Sequence, residues 1–300
     1  MAASRDAASD GVAPRARRSV LYMPGANERA LEKAKGLAVD ALILDLEDAV
    51  APDAKTEARD RVCAAVTSGG YGRREVTIRV NAMDTAWHAD DLRAVAEAGP
   101  AAVLVPKIGS PTDVAAVESA LEAAGAPDRT ALWAMLESPA AMLHAEEIAG
   151  SSERLGVLVM GTNDLARELH AQQVPGRQPL LGGLSLCLMA ARAHGKVILD
   201  GVYNDITDAK GFETECLQGA AMGFDGKTLI HPSQLEACNR AFSPTEEELA
   251  LADEIIAAWE QAIASGRGVV TVRGRMIENL HVADARRAQA IAAAIADAGG

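Results

Sequence analysis

Two carboxylates follow one another at the ends of successive apolar runs, Glu137 closing ALWAMLE (131–137) and Asp164 just after LGVLVMGT (155–162). If both runs are neighbouring strands, the two acids come within reach of one hard cation. Mg²⁺ takes one or two carboxylates and leaves its remaining positions to water and substrate oxygens. The same acids could instead serve the helices that begin at Ser138-Pro139 and Leu165. Arg79 ends a third run, EVTIRVN (75–81). An arginine there suits bidentate capture of a carboxylate or polarisation of a carbonyl oxygen, and equally a salt bridge to Glu47 or Asp48. The stretch LDLEDAV (44–50) carries Asp45, Glu47 and Asp48. Alternation gives Asp45 and Glu47 one direction and leaves Asp48 to the loop, so that at least one of them holds Arg79 or Lys107. Glu47 and Asp48 are expected to support the metal site from behind rather than bind the ion.

Eight apolar runs position these groups: 19–25, 41–48, 75–81, 101–107, 131–137, 155–162, 196–202 and 224–232. Most are continuous rather than alternating, as strands buried on both faces are. Ala-rich helical segments at 27–39, 53–67, 88–98, 112–124 and 139–149 separate them. Parallel strands need crossover helices and eight of them close a sheet, so the pattern predicts a (β/α)8 TIM barrel, with an open doubly wound sheet as the alternative. Nearly every run ends in polar groups, acids, bases or amides, including Asn81, Lys107, Asn163, Asp200, Lys227 and His231. In a parallel barrel these would converge on one mouth. Gly25, Gly161, Gly201 and Gly226 are read as turn glycines where backbone can approach a ligand. Gly161 and Asn163 are the expected substrate contacts among these residues.

The barrel is expected over 18–240, after a disordered leader at 1–17 and before an appendage at 241–300. That appendage reads as a helix starting at Ser243-Pro244 and stopping at Gly266, a hairpin-like GVVTVRGRMIEN, and a last helix. Across 300 residues, 49% are hydrophobic and only 3% aromatic, so the core is built from Ala, Leu, Val, Ile and Met. A net charge of −13 disfavours a nucleic-acid partner, although a few local cations can still hold an anion. The one basic cluster joins Arg15, Arg17 and Arg18 to Arg29, Lys33 and Lys35, and could meet a polyphosphate or offset nearby acids. Four scattered cysteines without C-x-x-C spacing read as reduced thiols of a cytoplasmic protein. No apolar run reaches 18 residues, so no membrane partner is expected. A dinucleotide or P-loop site is not indicated either, because G-x-G-x-x-G and Walker patterns are missing.

Seven blocks in order, RSVLYMPG, LDLEDAVAPDAK, RVN, VPKIGS, LESPAAML, GTNDLARE and GFDGKTLIHPSQL, resemble the CitE-like CoA-ester lyases. That group includes citrate lyase β subunit, malyl-CoA lyase and citramalyl-CoA lyase. The resemblance implies a magnesium-using TIM barrel that assembles as a homo-trimer or hexamer. Its substrates would be a 3-hydroxyacyl-CoA thioester on one side and acetyl-CoA plus a 2-oxoacid on the other. Glu137 and Asp164 fall at the family's metal ligands and Arg79 at its substrate-binding arginine. Arg18 falls where the family contacts CoA phosphates. The family's acid/base is an Asp in G-[KR]-M-I-D, given to a neighbour's barrel, and here that stretch reads Gly274-Arg275-Met276-Ile277-Glu278. Glu278 is still a carboxylate but one methylene longer, which shifts where it can deliver a proton. Thioester hydrolysis on the same site, a CoA-independent class II aldolase and a non-catalytic subunit of a citrate-lyase-like assembly are the other readings.

Overall fold

Strand after strand, one set of side chains turns inward and the next outward, and mostly aliphatic side chains fill the middle of the interior. In the computed structural model, which describes residues 15–298, the chain runs β1 (Ser19–Pro24), α1 (Glu28–Ala34), β2 (Ala41–Asp45), α2 (Lys55–Ser68), β3 (Glu75–Arg79) and α3 (His88–Ala98). It continues through β4 (Ala102–Val105), α4 (Pro111–Ala123), β5 (Ala131–Leu136), α5 (Pro139–Leu143), α6 (Ala145–Ala149) and β6 (Leu155–Met160). Then come α7 (Thr162–Glu168), α8 (Leu181–Ala193), β7 (Val197–Asp200), α9 (Ala209–Met222), β8 (Gly226–Leu229) and α10 (Leu235–Ala241). The eight strands form a closed parallel barrel in sequence order, β1 pairing with both β2 and β8. The expected (β/α)8 barrel is therefore the fold.

Val20, Ile43, Leu104, Trp133, Val157, Val159 and Leu199 fill the barrel interior. Their strand neighbours Leu21, Leu42, Leu44, Ile78, Val103, Leu132 and Leu158 pack outward against the helices. Each such fully buried side chain contributes about 1.5–3 kcal/mol. Because both faces are apolar, the strands read as unbroken runs in the sequence.

The amino end of the barrel is closed by Arg17. Its guanidinium grips Glu75 at 2.5 and 2.9 Å and lies over the Trp133 ring. Arg17 thus belongs to the barrel rather than to the expected leader, and residues 1–14 of that leader lie outside the described residues. Gly226 opens β8 at this end instead of forming a turn, and a Cβ there would stand 1.8 Å from the Arg17 carbonyl oxygen.

Contacts divide the chain into two compact units, one of them Arg17–Phe242 and the other including the segment from Ser243 onward. The latter segment holds α11 (Glu246–Ala264), the antiparallel pair β9 (Val270–Val272) and β10 (Arg275–Ile277), and α12 (Asn279–Ala298). Its cap is Thr245 rather than Ser243: the Thr245 hydroxyl accepts from the Glu248 amide while the Glu248 carboxylate accepts from the Thr245 amide. Two residues of Ser-Pro lead precede this capping box, which is why the sequence signal fell early. Val272, Ile277 and Val282 form a small core of their own.

Candidate active site

Arg79 sits at the carboxyl end of β3, directly across from Asp45 in register. Nε and Nη2 donate to the two Asp45 oxygens at 2.7 Å each, and Nη1 reaches Glu47 at 2.8 Å and Asp48 at 3.2 Å. The guanidinium also lies 4.9 Å from the Tyr22 ring centre. Burial works against the Arg79 charge, but Asp45 outweighs it and holds the group above its usual range. The salt-bridge reading of Arg79 is what the contacts show: Asp45 at the end of β2 and Glu47 and Asp48 in the loop after it all pair with the guanidinium.

The loop bearing Glu47 and Asp48 is itself clamped. Lys55 Nζ, buried at the start of α2, donates to the carbonyls of Leu46 at 2.8 Å and Glu47 at 2.7 Å. Lys55 and Tyr22 escaped the sequence reading. Tyr22 could have been found from its place in RSVLYMPG, two residues beyond the interior-facing Val20.

Glu137 lies in the mouth at 4% exposure. Its Oε1 accepts from the Lys107 backbone amide at 2.7 Å, and no cationic side chain pairs with it among the described residues. A Cβ at Gly161 would stand 2.3 Å from Glu137 Cβ and 2.5 Å from Oε2, so the carboxylate folds into the space that glycine leaves. Gly161 donates its own amide to the Leu136 carbonyl at 2.9 Å, so its N–H serves the β5–β6 ladder and its missing side chain makes room for Glu137. Burial, with Glu47 and Asp164 adding to it, pushes the Glu137 carboxyl up to about 8. Burial likewise lifts Glu47 to about 7 against the pull of Arg79.

Asp164 occupies the first turn of α7, where its carboxylate meets the exposed Arg167 one turn on. Ser138, not Glu137, caps α5, accepting from the Ala141 amide at 3.1 Å. Glu137 is therefore not held as a helix cap. No group of three or more His, Cys, Asp or Glu side chains is arranged for a metal among the described residues. The two-carboxylate donor set fits Mg²⁺ rather than a metal needing three or four protein ligands. A buried Glu137 without a cation partner, surrounded by like charge, is the feature that suits it.

Asn163 turns to the rim. It exchanges amide hydrogen bonds with Asn204 at 2.7 and 3.1 Å and accepts from Gln173 at 3.2 Å. It borders a cavity of about 650 Å³ shared with Gln173, Arg177, Tyr203, Asn204 and Glu215. Arg79 and Glu137 do not line that cavity.

Several residues expected at the site are placed elsewhere. Arg18 stands just before β1, at the opposite end of the barrel from the mouth. Its side chain and amide bind the Asp40 carboxylate at 2.8–2.9 Å, so it is not brought to the other residues. The basic cluster is split accordingly, since α1, with Arg29 and Lys33, begins beyond the far end of β1. Asp200 and Lys227 do not converge on the mouth either. Leu199 faces the interior, so Asp200 faces outward toward α9, where Lys227 joins it at 3.0 Å and Glu215 at 2.8 Å, and Arg177 binds Asp200 at 2.6 Å. His231 caps a short turn, its ring Nδ1 meeting the Ser233 hydroxyl at 2.8 Å. Glu278 is exposed between β10 and α12, with its amide donating to His281 Nδ1 at 3.0 Å.

The model of the HpcH/HpaI aldolase/citrate lyase family matches residues 18–232. The chain belongs to this family. A second model, a C–C bond lyase of the TIM-barrel fold, matches residues 184–293 of this HpcH/HpaI member. A (3S)-malyl-CoA thioesterase of Cereibacter sphaeroides is 53% identical over 279 residues, covering 93% of this chain and 95% of the relative. An L-malyl-CoA/beta-methylmalyl-CoA lyase of Rhodobacter capsulatus is 34% identical, covering 92% and 94%. Among solved structures, CitE of Mycobacterium tuberculosis, in complex with magnesium, acetoacetate and coenzyme A, is 29% identical with a TM-score of 0.76. It covers 95% of this chain and 100% of its own.

Proposed function

We propose that the protein acts on a malyl-CoA-type 3-hydroxyacyl thioester and hydrolyses it to free CoA and the hydroxydicarboxylate. The observation that carries the hydrolytic outcome is the 53% identity, across 93% of the chain, to a malyl-CoA thioesterase. Magnesium, held by Glu137 and Asp164, would supply the positive charge that stabilises oxygen anions in the mouth. Asp45 fixes the Arg79 guanidinium from one side. Asp48, with a side chain 71% exposed at 3.2 Å, is the partner that yields its place on Nη1 to a substrate oxygen. Arg79 then stabilises the charge on the thioester oxygen as water adds to the thioester carbon. The carbon–sulfur bond breaks, the new carboxylate keeps the water oxygen, and CoA leaves as thiolate and takes up a proton.

A second reading, carbon–carbon cleavage, is favoured by the Rhodobacter lyase and by the C–C bond lyase model. There the substrate hydroxyl loses its proton and the bond between the hydroxyl-bearing carbon and the α-carbon breaks. A 2-oxoacid departs, and Glu278 of a neighbouring copy protonates the α-carbon. In that scheme the active form is a homo-trimer or hexamer and the exposed Glu278 completes the site of another subunit. We place the protein in the cytoplasm, in keeping with its four free thiols. Thiol release from malyl-CoA, with and without EDTA, tests the proposal. EDTA-sensitive release of one CoA per substrate supports hydrolysis, and consumption without thiol release supports cleavage.

A further inference from the structure

The mouth holds more acid than base. Asp45, Glu47, Asp48, Glu137 and Asp164 face Arg79, Lys107 and Arg167, and two of those three cations are already engaged. Arg79 donates to Asp45, Glu47 and Asp48, and Arg167 is tied to Asp164. Lys107 is different. Its ammonium is half exposed, and its nearest carboxylate is Glu47 at 3.9 Å, beyond hydrogen-bond length.

The backbone at Lys107 is unusual as well. It leaves β4 after Pro106 with φ +58°, in the left-handed region that glycine fills most readily. A side-chain-bearing residue there costs roughly 1–2 kcal/mol. The other non-glycine residues in this region, His170, Arg177 and Arg273, stand after a helix end, before a short turn of helix and in the β9–β10 turn. Lys107 instead follows a barrel strand, with its amide already bound to Glu137 at 2.7 Å. That bond pins the peptide plane, and φ then decides where the side chain leaves it. One residue thereby holds Glu137 with its backbone and carries an ammonium to the edge of the mouth.

We propose that Lys107 anchors the free carboxylate of the substrate, while Arg79 takes the thioester end. The inference rests on the reading of the substrate as an anionic hydroxyacyl thioester. It deepens that reading by assigning the acid's recognition to a residue outside the β2–β3 acid–arginine cluster. A lysine ammonium approaches a carboxylate as a point charge with three rotatable donors, which suits an anchor at an open rim.

Lys107→Gly is the informative variant, because glycine keeps the left-handed backbone and the amide bond to Glu137 while removing the ammonium. Calorimetry with malate in the presence of magnesium is the readout, since it does not require turnover. Malate binding should weaken about tenfold or more in K107G and recover in part in K107R, as expected for loss of a charge-assisted contact. The thermal shift induced by magnesium alone should persist in K107G, and the KM for malyl-CoA should rise far more than kcat falls. Malate binding to K107G at wild-type strength overturns the assignment, as does a wild-type protein that binds no malate. Weakened malate binding in K107G, together with a wild type that leaves malyl-CoA intact, keeps the anchor and removes the proposed reaction.

Discussion

Arg79 and Asp45 face each other across β2 and β3 and join through two parallel contacts of 2.7 Å, both side chains under one tenth exposed. Such a fork fixes the guanidinium plane as well as its position. Removing one partner of a buried pair strands the other, so Asp45→Ala should lower stability by about 3 kcal/mol in a denaturant titration. Arg79→Lys should keep a charge but lose the fork, and its thioester turnover should fall at least about a hundredfold.

Gly161 gives the Glu137 carboxylate its place. Gly161→Ala sets a methyl group 2.5 Å from Glu137 Oε2, so the carboxylate must move. The expected result is a stability loss of about 1–3 kcal/mol and a weakened magnesium-induced thermal shift. Scanning calorimetry with and without magnesium reads both.

Asp200 and Lys227 are fully buried between the barrel and α9, away from the mouth, while their partners Arg177 and Glu215 border the cavity beside Asn163. Burial opposes the Asp200 charge, but Lys227 and Arg177 outweigh it and hold its carboxyl below the usual range. A lowered carboxyl contributes stability that is present above its unfolded value, about 3.9, and is lost as pH falls through the folded one. Asp200→Asn should therefore destabilise the protein at neutral pH and flatten its loss of stability below about pH 4. The folded fraction should keep kcat within about threefold of wild type.

Much of this frame was legible in the sequence. Unbroken apolar runs announced eight strands buried on both faces, and acids beside Arg79 in neighbouring runs announced their pairing. What escaped depends on parity and direction. β7 spans four residues with both faces buried, so no alternation marked Asp200 as outward-facing. Arg18 stood one residue before β1, where sequence distance alone did not say which end of the barrel it would occupy. Lys107 looked like one more strand-end base, since a left-handed φ after Pro leaves no trace in composition.

Glu278 is exposed, so its replacement by Ala should leave the melting temperature within about 1 °C. If it serves a neighbouring barrel, the inactive variants R79A and E278A should complement when refolded together. Equal random mixing pairs an intact mouth with an intact Glu278 in about a quarter of sites. Carbon–carbon cleavage near that fraction of wild-type activity supports the shared site, and none at all, from a wild type that does cleave, places Glu278 outside it.

The most direct measurement follows malyl-CoA with magnesium in ¹⁸O-labelled water, with products read by mass spectrometry. Hydrolysis at the mouth predicts one ¹⁸O in the malate carboxylate and one free CoA per malate, both abolished by EDTA and by Asp164→Ala. Glyoxylate with acetyl-CoA, and no labelled malate or free CoA, would contradict it.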